Sequence, residues 1–399
     1  MATVKFSSWF PIILLTFSAF IFNTTEFTPV ALLTDIAADL NITEAKAGLI
    51  ITIYAWVVLT MSLPLMLIAS RIEFKRLLSI IIGVYCLGHI ISVFADSFAT
   101  LLIARICIAL SHCIFWSIAM PLAVKLAPPG KRAAALSLVG AGTAVAMVLG
   151  MPLGRIVGLS FGWRAPFALL GIAAFIIIVL LQFIFPKVPV TNRSSLSSLP
   201  QIVKNSPLMI LYVITACIFT GHFTGYSFIE PFLLNEAKLH VDLVTVTISL
   251  FGISGVAGSF IFSRYSGTSL KGLAYFATFG LAVFLLCLHI ASYHYYSTVL
   301  ICIMWGLSFA VYSLLFQDQV IKLMPEQASI AMSIYSSICN LGIGAGALVG
   351  GIVSSKVNIA YIGYAGSVVA LAGALVCAFF FVKKLIANRK IASSMTPVF

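Results

Sequence analysis

Long apolar runs broken by short polar stretches dominate this chain. A hydrocarbon core about 30 Å thick is crossed by roughly 20 apolar residues in a helix rising about 1.5 Å per residue. Twelve such segments can be cut from the sequence. Six run Phe10–Leu33, Ala47–Ser70, Leu77–Ala95, Phe98–Val124, Ala134–Val157 and Pro166–Phe185. After a polar gap, six more run Leu208–Ile229, Leu243–Ser263, Leu273–Ile290, Ser297–Phe316, Ala328–Val353 and Ala360–Val382. The pattern predicts an all-α integral membrane protein whose twelve transmembrane helices form two six-helix bundles. The N-terminal bundle covers residues 1–186, a cytoplasmic linker 187–207, and the C-terminal bundle with a short cytoplasmic tail 208–399. The first run follows Lys5, as the apolar core of a signal peptide would follow its basic end. Its length, the presence of Glu26 and the lack of a small-residue cleavage site make it helix 1 instead.

Composition agrees: 61% of residues are hydrophobic and 9% charged, against roughly 45–50% and about 25% in an ordinary soluble domain. A net charge of +12 would make nucleic acid a candidate partner of a soluble protein, so its placement decides. With the N-terminus inside, seventeen basic residues fall on the inner side and only Lys46, Arg164, Lys238 and Lys356 on the outer, with Arg105 and Arg155 left in the spans. The positive-inside rule therefore places both termini in the cytoplasm, and the basic excess is explained without nucleic acid. All eight cysteines fall inside predicted spans, with no CxxC or Cys/His ligand spacing. Neither a disulfide framework nor a metal site is indicated.

The halves echo one another. Ser70-Arg71 after helix 2 recurs as Ser263-Arg264 after helix 8, and the glycines of helix 5, Gly150, Gly154 and Gly158, recur in helix 11 as Gly342, Gly346 and Gly350. With the six-plus-six count, these echoes favour a duplicated transporter whose substrate site lies between repeats near the bilayer midplane.

Ionisable residues inside a bilayer cost about 2.5–3.5 kcal/mol each at a helix centre on insertion scales, so they face a cavity or a partner. Helix 1 carries Asn23 and Glu26 on one face; helix 4 carries Arg105, Ala109, His112 and Trp116 in one stripe. Counting along the two helices puts Glu26 and Arg105 at similar depth, which allows a Glu26–Arg105 pair. Desolvation and a nearby guanidinium act on a carboxyl in opposite directions. A conformational change that alters either one would load or release a proton at Glu26, with His112 sharing that proton or binding substrate. The proton-coupling candidates are thus Glu26, Arg105 and His112. For substrate the candidates are Asn23, Glu26, Tyr54, His112, Trp116, His222, Tyr226 and Asn340. Tyr54, Trp116, His222 and Tyr226 combine flat apolar faces with hydrogen-bonding edges, as a polyhydroxylated ligand requires, and the Asn340 amide can bind substrate or bridge helices. Trp56 on helix 2 belongs to the same class. Trp305, Phe309, Tyr312 and Phe316 repeat along one face of helix 10 and read first as packing. Glu230 reads as interfacial, and Arg155 as snorkelling outward.

These features resemble the major facilitator superfamily. Leu101-x-x-x-Arg105 is similar to its helix 4 motif, whose arginine is implied to assist proton transfer. Gly150-Met-Pro152-Leu-Gly154 is similar to the antiporter motif of the drug:proton antiporter family, which implies a conformational role for Gly150, Pro152 and Gly154. The loop Ser70-Arg-Ile-Glu-Phe-Lys-Arg76 carries serine and glutamate where the family has aspartate and glycine. Phe22-Asn-Thr-Thr-Glu26-Phe-Thr-Pro-Val30, Ile53-Tyr-Ala-Trp-Val57, Phe115-Trp-Ser117, Gly154-Arg-Ile-Val-Gly158 and Gly342-Ile-Gly-Ala-Gly-Ala-Leu-Val-Gly350 resemble the bacterial sugar efflux members. That resemblance implies a bacterial inner-membrane exporter of arabinose-type sugars or thiogalactosides, driven by protons; a monomer without cofactors is expected. The alternative in the same fold is a multidrug or nucleoside exporter. An enzyme is disfavoured, since no phosphate-binding glycine loop, metal-ligand cluster or soluble domain is present in the sequence.

Overall fold

The structure, a computed structural model, describes residues 9–42, 44–189 and 199–381. Helices and their connections account for all of the described residues, without strands. Eleven of the helices are long and apolar enough to cross a membrane. The first predicted span is also helical, with a shorter apolar stretch over Phe10–Glu26. Two compact units emerge, Met1–Leu196 with Pro325–Asn340, and Ser197–Met324 with Leu341–Phe399. Of the predicted linker, residues 190–198 lie outside the described residues, as do the basic residues Lys5, Arg193, Lys383, Lys384, Arg389 and Lys390.

The first unit contains α1 (Phe10–Ala31), α2 (Leu33–Asp39), α3 (Glu44–Ala69), α4 (Phe74–Val93), α5 (Phe98–Leu126), α6 (Arg132–Val145), α7 (Met151–Phe161) and α8 (Arg164–Ile184). The fifth predicted span is one apolar run in sequence but three pieces in space, because a π-helical turn, Ala146–Gly150, separates α6 from α7. Pro152 favours the break, although Phe276–Gly280 forms a π turn with no proline near it. Pro152 has no N–H, so the carbonyl four residues before it cannot receive the usual donor, and a widened turn accommodates the loss. The Pro152 side chain lies outside those described.

α4 packs between α5 and α8, α3 packs on α5, and α1 packs on α6 and α7. Glycines set that last contact. A Cβ at Gly142 would come 2.5 Å from the Thr16 carbonyl oxygen, one at Gly150 2.7 Å from Thr24 Oγ1, and one at Gly158 2.4 Å from a Leu32 methyl. The matched spacing along both helices means that they run parallel and touch over their length.

The second unit contains α9 (Leu199–Lys204), α10 (Ser206–Tyr226), α11 (Ile229–Asn235), α12 (Val241–Tyr265), α13 (Leu270–Tyr275), α14 (Leu281–Ala291), α15 (Tyr295–Leu323), the later part of α16 (Ala328–Lys356) and α17 (Ile362–Val376). The seventh predicted span continues past a short break into α11, so its apolar stretch reaches Asn235. Here α12 packs on α15, and α14 on both α15 and α17, the same neighbours that α3, α5, α4 and α8 make in the first unit. The second glycine row repeats too: Cβ atoms at Gly346 and Gly350 would each come 2.6 Å from a carbonyl oxygen of α10, Thr220 and Thr224 respectively. The echo between helices 5 and 11 is thus a row of helix-to-helix contacts with the first long helix of each unit.

Candidate functional site

α1 carries Pro29 inside its length. Without an N–H at position 29, the Thr25 carbonyl has no intrahelical donor. Arg105 of α5 supplies one: its Nη1 donates to the Thr25 oxygen at 3.0 Å. The guanidinium also lies over the Tyr54 ring, 4.3 Å from its centroid. Arg105 is 1% exposed, and its Nε and Nη2 are buried without a hydrogen-bond partner. It is therefore anchored on α1 and α3 while two of its donor atoms stay unspent.

Glu26 sits one residue beyond that anchor. No Glu26–Arg105 ion pair within 4.0 Å occurs among the described residues. The basic side chain that comes within that limit is His112, whose Nε2 is 4.0 Å from Glu26 Oε2. The pair suggested by helix depth is thus replaced, because the proline-orphaned carbonyl and the Tyr54 ring claim Arg105. On the other side of the imidazole, His112 Nδ1 is 2.7 Å from Tyr54 Oη. Tyr54, His112 and Glu26 thus stand in line as a phenol, an imidazole and a carboxyl group, with Arg105 alongside. The Glu26 side chain is 24% exposed and that of His112 5%, so the carboxylate is the wetter end.

Aromatic rings wall this cluster. Phe22 stacks on Phe115 at 4.3 Å, and Trp116 lies 6.0 Å from His112. Asn23 is already engaged, its Nδ2 donating to the Thr143 carbonyl of α6 at 3.2 Å. Trp56, by contrast, is 67% exposed.

Two participants were not anticipated from sequence. Tyr85 of α4 hydrogen-bonds both the Ile21 carbonyl, at 2.8 Å, and Thr25 Oγ1. His89, one turn on, places Nε2 3.1 Å from the same Thr25 hydroxyl. They brace the α1 turn that receives Arg105. The available signal was an imidazole and a phenol four residues apart in an apolar run, but only tertiary contact connects them to Thr25.

In the second unit, α10 presents a buried His222. Trp305 Nε1 donates to His222 Nδ1 at 3.1 Å, so that nitrogen is the acceptor and a neutral ring carries its proton on Nε2. Nε2 is buried and has no hydrogen-bond partner. The imidazole stacks on Phe309, centroids 3.5 Å apart and planes 2° apart, and Tyr226 stacks at 5.3 Å. The helix 10 stripe therefore divides. Trp305 and Phe309 hold His222, whereas Tyr312 and Phe316 are packing residues, with Tyr312 Oη donating to Thr215 at 2.9 Å. Asn340 donates to Ser336 of its own helix at 3.0 Å. Glu230 and Arg155 are exposed. Among the described residues no cluster of His, Cys, Asp or Glu could hold a metal ion.

The fold resembles that of a solved protein described as the Major Facilitator Superfamily transporter FucP in the outward conformation. The TM-score is 0.74 at 16% identity, over 94% of this chain and 99% of that one. The sequence model of the Major Facilitator Superfamily matches residues 12–335. By family and fold this is a transporter and not an enzyme, and the chain belongs to the Major Facilitator Superfamily.

Proposed function

We propose that the protein exports small sugars in exchange for protons by alternating access, with Glu26 as the group that takes up and releases the proton. One observation carries this reading. A partly exposed carboxylate, an imidazole and a phenol stand in line beside an arginine with two unspent donor atoms, on helices of a transporter fold. A shift of α1 against α5 would change the distance from Glu26 to His112 and Arg105 and the access of water to the carboxylate, and so would couple a proton to movement. Arabinose-type sugars or thiogalactosides are the substrate class, as the sequence motifs imply. Tyr54, Trp116, His222 and Tyr226 offer the ring faces and edges that bind hydroxylated rings.

The aromatic cluster around His222 favours a second reading, export of a flat apolar drug or nucleoside. One experiment addresses both. Purified protein in vesicles is given an imposed pH gradient and a panel of radiolabelled sugars, nucleosides and cationic drugs. Gradient-driven accumulation of a sugar is expected, and Glu26→Gln should abolish accumulation while keeping gradient-free exchange. Uphill transport that survives in Glu26→Gln would remove the carboxylate from coupling, and accumulation of drugs alone would select the second reading.

A further inference from the structure

Away from the Glu26 cluster, a cleft of about 500 Å³ opens between the start of α4 and the end of α8. Glu73, Lys75, Arg76 and Ser79 line it from the α4 side, and Gln182 and Lys187 from the other. Its framework is cross-linked. Lys75 Nζ donates to the Gln182 carbonyl at 2.8 Å, and Gln182 Nε2 donates to Ser79 Oγ at 3.0 Å.

The one carboxylate there is already spent. Glu73 Oε1 accepts from the backbone N–H groups of Lys75 and Val188, at 2.9 and 2.8 Å, and Oε2 from that of Arg76 at 3.0 Å. The Arg76 guanidinium and the Lys187 ammonium have no partner among the described residues. Three cations thus surround a pocket whose single anion is neutralised by peptide dipoles. At its edge Ile80 is 45% exposed, and next to Gln182 the Phe183 ring is 84% exposed, as side chains facing acyl chains would be.

We propose that this cleft binds the phosphate of an anionic phospholipid, with Arg76 and Lys187 donating to its oxygens and the acyl chains lying against Ile80 and Phe183. Phosphate chemistry alone would also admit a soluble phosphate, but the apolar edge continuous with the site favours the lipid. The inference rests only on the membrane-spanning fold, so it stands or falls separately from sugar transport.

The test is native mass spectrometry of the full chain in detergent, titrated with phosphatidylglycerol, with phosphatidylcholine, and with inorganic phosphate. Phosphatidylglycerol should bind saturably, and Arg76→Gln with Lys187→Gln together should weaken it about tenfold or more. The control pair Arg264→Gln with Lys271→Gln removes the same charge elsewhere and should change affinity less than about twofold. Equal binding by the first pair and the wild type would overturn the proposal, as would equal loss in the control. Competition by millimolar phosphate, with no preference for the lipid, would overturn the lipid assignment. Should the double variant fail to fold, the two single variants carry the same comparison.

Discussion

Arg105 is tied to α1 by a deletion in the backbone: a proline that removes one N–H creates an acceptor that a distant side chain fills. Arg105→Gln should leave the Thr25 carbonyl unsatisfied, a cost of about 1–3 kcal/mol for a buried group. In a Pro29→Ala background the restored backbone amide can take that role, so the second Arg105→Gln should cost less. Thermal melting of the four proteins in detergent gives the coupling, expected at about 0.5–3 kcal/mol; additivity within about 0.5 kcal/mol would mean that the carbonyl is not what holds the arginine. At this scale Glu26, Arg105 and His112, singled out in the sequence by the cost of burying them, lie near one another in one unit. Their partners were less legible. Counting residues along two helices places groups at a depth, but it cannot show that Pro29 and Tyr54 compete with Glu26 for the guanidinium. Tyr85 and His89 escaped notice because a phenol or a neutral imidazole in an apolar run gives no sign of which backbone turn it will brace.

Helix contacts are set by the absence of side chains as much as by their presence. A methyl at Gly346 would meet the α10 backbone at 2.6 Å, whereas one at Gly344, on the same helix, meets nothing within 4 Å. Gly346→Ala should therefore lower stability by about 1–3 kcal/mol through overpacking, while Gly344→Ala should be neutral or gain up to about 1 kcal/mol of helix propensity. Equal melting temperatures for the two would show that α10 and α16 can separate without cost. The glycine spacing was visible in sequence; the contacting helix was not. Residue type signalled an irregular turn before Pro152, although its π-helical form depends on how the turn is packed. The start of α4 adds a titrating contact. Burial raises the Glu73 carboxyl, but the Lys75, Arg76 and Val188 N–H groups outweigh it and hold it below the ordinary carboxylate value. A lowered folded-state value means that the unfolded chain binds more protons in the window between the two values. The stabilisation is therefore complete above the unfolded value, about 4.3, and is lost as pH falls through the lowered one. Glu73→Ala should cost about 0.5–2 kcal/mol at pH 7, and the difference in melting temperature should shrink in acid. A gap that does not shrink at all as the pH falls below about 4.3 would assign the effect to packing rather than charge.

For the whole molecule, the count of crossings decides where the termini lie, and eleven and twelve give opposite answers. Length and composition alone credit eleven helices, with Phe10–Glu26 the shorter apolar stretch. The glycine row bears on this for α1. From Gly142 to Gly158, α6, the π turn and α7 face Thr16 to Leu32 of α1 in matched order. If α1, which runs parallel to a membrane-spanning neighbour along that row, spans with it, the count becomes twelve. An even count would put both ends on one side, and the positive-inside rule predicts that side to be the cytoplasm. Single cysteines probed with an impermeant maleimide on intact cells test each step against the labelling of the unsubstituted protein. Lys46→Cys and Lys356→Cys should label from outside, whereas Ser7→Cys and Lys271→Cys should label only after lysis. Labelling of Ser7→Cys in intact cells would return the count to eleven, and labelling of Lys271→Cys with protection of Lys356→Cys would invert the molecule. Inversion would also reverse the direction in which an inward proton gradient drives the substrate, so the labelling pattern fixes the sign of the transport assay before any sugar is tried.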